Sequence, residues 1–106
     1  MEFETATIFN LAASVEYSGN ATVSKMVLKK ETGNISLFAF DKDQSLSEHS
    51  APFDAYVLIT EGRGRIIINH KLYDLAAGEF IVMPANIPHA VQAIEKFKMM
   101  LVMIRG

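Results

Sequence analysis

The chain has 106 residues, half of them apolar, with a net charge of −2 and no cysteine. That length suits a single domain spanning 1–106, and the missing cysteines exclude disulfides, thiolate metal sites and cysteine nucleophiles. Scattered lysines without a basic stripe argue against nucleic acid as a partner, no apolar run is long enough to span a membrane, and the acidic start Met1-Glu2-Phe3-Glu4 is unlike a secretory signal, so a cytoplasmic location is expected.

In chain order, Phe9–Tyr17 reads as one short helix, with Asn10 as its N-cap. After Gly19 the texture becomes β-prone. Val23–Lys29 and Asn34–Phe40 read as strands around a hairpin turn at Glu31-Thr32-Gly33-Asn34. Ala55–Thr60 is the next strand, closed by a turn at Glu61-Gly62-Arg63-Gly64, and Arg65–Ile68 follows. Asn69-His70-Lys71 suits a tight turn, because Asn tolerates the left-handed conformation. Leu72–Leu75, Phe80–Met83, His89–Ala93 and Phe97–Ile104 complete the strands, with turns at Ala76-Ala77-Gly78 and Pro84–Pro88. Short strands at this spacing predict an all-β sandwich or barrel.

Several of these strands are apolar on both faces. In Tyr56-Val57-Leu58-Ile59, alternate side chains point to opposite sides. One side must line the interior. The other is expected to lie under a second subunit, making a homodimer, with cover by the N-terminal segment as the alternative.

Three histidines are present. His70 falls in a predicted turn and reads as a surface residue, whereas His49 and His89 each read as opening a strand after a loop, where both can face one cavity.

Around these two the chain resembles a small single-domain cupin over roughly residues 35–104. The second cupin motif, Gly-x5-Pro-x-Gly-x2-His-x3-Asn, is matched in spacing from Gly78 through Pro84 to His89. Asn86 stands for its inner glycine and Ala93 for its asparagine. The first motif, His-x-His-x3-Glu-x6-Gly, is matched in frame by His49 and Gly62, but Ala51 replaces the second histidine and Ala55 the glutamate. The resemblance implies a jelly-roll barrel, the double-stranded β-helix, with a short helical or irregular N-terminal segment. It also implies a metal held by four side chains, of which only His49 and His89 remain.

Catalytic metals normally take three protein ligands. The expected role is therefore binding of a small organic ligand, with His49, Ala51, Ala55, Val57, Met83 and His89 lining its pocket. One alternative is a metal-dependent dioxygenase or isomerase, with a divalent metal on His49 and His89 as a partial set. The other is a metal-free acid–base isomerase using His49 or His89, with Asp54 as the only nearby carboxylate to orient it. Whether the protein is an enzyme stays open at this point. The methionines in the strands, Met83, Met99 and Met103 among them, read first as filler for an irregular core and second as a plastic pocket wall.

Overall fold

The computed structural model describes residues 2–105. Among them, eight strands run in chain order: β1 (Thr22–Lys30), β2 (Gly33–Phe40), β3 (Ser45–His49), β4 (Asp54–Ile68), β5 (Lys71–Ala76), β6 (Phe80–Met83), β7 (His89–Gln92) and β8 (Phe97–Ile104). All their pairings are antiparallel. One sheet has the order β1-β2-β8-β4-β6 and the other β3-β7-β4-β5. Their inner faces share one core that includes Val57, Ile59 and Met83 from the first sheet and Ile66, Leu75 and Val91 from the second. This is the expected jelly-roll barrel.

Strand β4 belongs to both sheets. Its first half pairs with β8 and β6, and its second half, from Arg63, pairs with β5 and β7. The expected turn at Glu61–Gly64 is therefore a bend inside one continuous strand. A register shift between Ile59 and Glu61 and a positive φ of 74° at Gly62 supply the bend, as β-bulges do where a strand changes sheets. Asn69 and His70, both at positive φ, form the two-residue turn between β4 and β5, a geometry that matches the twist of a hairpin.

The expected N-terminal helix is reduced to one 3₁₀ turn at Ala12–Ser14. Asn10 Oδ1 does accept the Ala13 N–H, at 2.9 Å. Beyond that turn the segment is irregular and packs on the barrel. Val15 is buried against Leu37 and Ala39, Lys98 Nζ donates to the Ala12 carbonyl at 2.6 Å, and the Tyr17 hydroxyl donates to Glu61 at 2.7 Å. Tertiary contacts here outweigh a weak helical preference. The segment covers only part of the outer apolar face. Phe80, Val82 and Ile104 remain exposed beyond it.

One end of the barrel is plugged by aromatic rings. Phe97 stacks on Phe40 at 4.8 Å and Phe40 on Phe38 at 5.8 Å. Gly64 lets β4 pass close to this stack, since a Cβ there would stand 2.5 Å from Phe97 Cε2. Gly64→Ala is expected to cost about 1–3 kcal/mol, as overpacking does, and Phe97→Ala about 3–5 kcal/mol. Thermal unfolding checks both; a Gly64→Ala melting temperature equal to the wild type's would show that the stack yields freely.

Candidate functional site

The other end of the barrel carries the two histidines. His89 opens β7, as expected, but His49 ends β3 instead of opening a strand. The two are direct cross-strand partners. Their pairing depends on a register shift in β3. Leu46 faces Val91, and a regular ladder would then bring Glu48 opposite His89. The shift between Leu46 and His49 puts His49 there instead. Because strand side chains alternate, one extra residue exchanges which of two neighbours faces inward. Glu48 lies beyond the barrel's interior, 3.4 Å from His70 on the surface.

The rings of His49 and His89 meet edge to face, with centroids 4.4 Å apart. Each is held by its own chain. His49 Nδ1 lies 2.9 Å from the Ser47 carbonyl oxygen, and His89 Nδ1 lies 3.3 Å from that of Ile87. A carbonyl oxygen only accepts, so each Nδ1 carries a proton. Both Nε2 atoms of the neutral rings are then bare lone pairs, and they stand 3.2 Å apart. Two lone pairs at that distance repel. The arrangement is satisfied when a proton, a cation or a donor group lies between them.

The two rings are not equivalent. His89 is buried, with 6 % of its surface exposed, and His49 is exposed at the mouth. Burial holds the His89 imidazole below the ordinary histidine pKa; the neighbouring His49 adds to this, and the Ile87 carbonyl opposes it.

Behind them lies a small cavity of about 50 Å³. His49, His89, Ala51, Ala55 and Met83 line it, as do Leu46, Phe53 and Val91. Met99, Leu101 and Met103 of β8 close its far wall. Val57 does not reach it, lying one register step deeper in the core with no exposed surface. The β8 residues and Leu46 are inward-facing, which strand alternation could have shown; that they share a wall with His49 required the pairing of β8 with β4. Ala51 is fixed from the other motif, because its carbonyl accepts the Asn86 N–H at 2.7 Å. Asn86 has a φ of 64°, the conformation for which it substitutes for glycine.

Asp54 does not orient either histidine. Its Oδ1 accepts the Ala85 N–H at 2.8 Å and so pins the loop after β6. Among the described residues no three His, Cys, Asp or Glu side chains converge. The site offers two imidazole nitrogens, with methyl groups at Ala51 and Ala55. That donor set does not fit the four-ligand divalent metal centre that the resemblance implies.

The comparisons agree with this architecture. A family model described as a cupin domain matches residues 36–105. A conserved protein of unknown function from Streptococcus pyogenes is similar at 36 % identity, with a TM-score of 0.94 over 100 % of this chain and 93 % of that one. A cupin 2 conserved barrel domain protein from Leptotrichia buccalis is 41 % identical, with a TM-score of 0.89 over 92 % of this chain and 47 % of that one. A cupin superfamily protein from Desulfitobacterium hafniense is 25 % identical, with a TM-score of 0.92 over 100 % of this chain and 97 % of that one. Comparison with curated proteins finds no match. With its barrel, its second-motif spacing and a family match across residues 36–105, the chain belongs to the cupin family.

Proposed function

We propose that this cupin barrel binds a small organic ligand, with an apolar body in the cavity and a polar head group at the His49–His89 pair. The observation that supports it is the convergence of two Nε2 atoms, 3.2 Å apart, at the head of an otherwise apolar pocket. A carboxylic acid is the simplest head group. It brings one proton to the pair and leaves a carboxylate that the protonated pair can hold. The cavity sets the size. At about 50 Å³ it is far below the ~300–1,000 Å³ of drug-sized pockets, so the body has only a few heavy atoms unless methionine side chains turn aside. Met83, Met99 and Met103 are the residue type most able to do so.

An acid–base enzyme is the second reading, and the same fixed tautomers favour it. One imidazolium donating to one neutral imidazole is a proton store at a cavity mouth. The carboxylate that would orient a catalytic histidine is replaced by the Ser47 and Ile87 carbonyls.

The outer face of the first sheet is proposed as the contact with a second copy of the chain. Tyr56 and Phe80 stack there at 4.8 Å, and Val82 and Ile104 extend the strip. A shallow groove of about 280 Å³ beside Leu28, Ile35 and Val102 continues it. Light scattering is expected to give a dimer, and Phe80→Lys a monomer; a monomeric wild type at micromolar concentration sinks the dimer.

Binding is tested by following histidine side-chain NMR while short-chain monocarboxylates are added. His49→Ala and His89→Ala are each expected to weaken binding about tenfold or more, since a hydrogen bond to a charged group contributes ~1.5–3 kcal/mol. Unchanged affinity in both variants would remove the pair from the site.

His89 also makes stability depend on pH. Unfolded, it titrates near ~6.5; folded, its pKa is lower. Between those values the unfolded chain binds more protons, so stability rises with pH. Its contribution is complete above pH ~6.5 and is lost as pH falls toward the folded value. Melting temperatures at pH 7.5 and 5.5 are expected to differ more in the wild type than in His89→Gln.

A further inference from the structure

The interior row nearest the histidines is composed in an unusual way. On β4, Ala55 pairs with Met83 of β6 on one side and with Met103 of β8 on the other. Two thioethers therefore flank the methyl group that occupies the first-motif glutamate position. Both methionines line the cavity that His49 and His89 also line. The hard oxygen donor is gone, and soft sulfur donors stand on either side of its place.

We propose that this cavity is a site for a soft monovalent cation, Cu(I), held by His49 Nε2, His89 Nε2 and the thioether sulfurs of Met83 and Met103. Four observations carry the inference. The two imidazoles are already in the ligating tautomer, with Nδ1 bound to carbonyl oxygens and Nε2 free. Metal-bound histidines are oriented in this way. The separation is suitable as well. Two nitrogens ~2.0–2.1 Å from one tetrahedral ion stand about 3.3 Å apart, and these stand 3.2 Å apart. Thioether donors select Cu(I) over the divalent ions that prefer carboxylates and water.

The fourth observation is charge. Among the described residues no carboxylate lines the cavity, and Asp54 is spent on the Ala85 N–H. A divalent ion on neutral ligands would leave two uncompensated charges in an apolar pocket, where burying even one is costly. A monovalent ion leaves one. The size of the cavity agrees, since about 50 Å³ has room for a single ion. The inference does not rest on the organic-ligand reading. The two occupants use the same nitrogens, and each excludes the other.

The test uses the full chain with methionine methyl groups labelled with carbon-13. Ag(I) serves as the redox-inert probe in chloride-free buffer, and Cu(I) is titrated anaerobically against a competing chelator. The expected result is one ion per chain, with shifts confined to the methyls of Met83 and Met103 and to the rings of His49 and His89. Exposed Met26 and His70 are internal controls. Removing a group that only orients a ligand costs ~10–100-fold in metal affinity, so His49→Ala, Met83→Leu and Met103→Leu are each expected to weaken binding at least about tenfold. Leucine nearly conserves the volume of methionine, and a retained melting temperature confirms folding. Three results overturn the proposal: no binding above the chelator, binding unchanged in the Met83→Leu/Met103→Leu double variant, or Mn(II) held as tightly as Cu(I). Carboxylate titration of the same samples is a separate measurement, and either reading can fail while the other stands.

Discussion

The site depends on one irregularity in a five-residue strand. β3 carries Ser45-Leu46-Ser47-Glu48-His49, and Leu46 is inward, against Val91. In a regular strand the next inward residue would be Glu48. The shift before His49 reverses this, so an imidazole faces His89 and the carboxylate turns out to His70. A glutamate opposite His89 would make a simple ion pair. An imidazole makes a pair of lone pairs with nothing between them. The chemistry of the cavity mouth thus follows from the backbone count of β3 as much as from the side chains present.

The bent strand β4 has a second, supporting role. Ile68, in its second half, sits beside His89 in register. Ala55, in its first half, sits between Met83 and Met103. One strand therefore sets the depth of both walls of the cavity, and its bend sets how they face each other. Gly62 and Gly64 make the bend possible, because side chains there would meet the Lys96 carbonyl and the Phe97 ring. The aromatic plug of Phe40 and Phe97 is packed against that same bend.

Much of this was legible in the sequence. Strand alternation located most of the ladder, and the spacing from Gly78 to His89 identified the loop that aims His89. Asn86 was readable as a glycine substitute because its tolerance of positive φ is intrinsic to the residue. Three features were not legible. Glu61-Gly62-Arg63-Gly64 has the composition of a reversal, and composition cannot distinguish a reversal from a bulge that bends one strand. The bulge in β3 adds no distinctive residue, so the parity of His49 and Glu48 was hidden. Val57 was placed at the pocket by parity alone, which gives the face of a strand but not the depth along it. Depth is decided by cross-strand register, and that is a property of two segments together. The same gap concealed the methionines. Met83 and Met103 are 20 positions apart, and only their common partner Ala55 makes them one feature.

The two alanines are best understood through charge. A barrel with two histidines and a buried carboxylate can neutralise a strongly charged occupant. With Ala51 and Ala55 in those places, no carboxylate among the described residues lines the cavity. His89 is buried, which holds its imidazole below the ordinary histidine pKa, and its Nε2 stands 3.2 Å from that of the exposed His49, room for one proton or ion between them. The pair therefore accommodates one positive charge, and a second would stand unscreened in an apolar pocket. Both occupants proposed above, a carboxylate over a protonated pair and a monovalent ion among thioethers, stay within that limit. It disfavours a divalent centre, and this follows from the field the occupant would feel more than from a simple shortage of ligands. The cupin frame fixes where the two histidines meet in this chain, and alanines at 51 and 55 limit how much charge that place can hold.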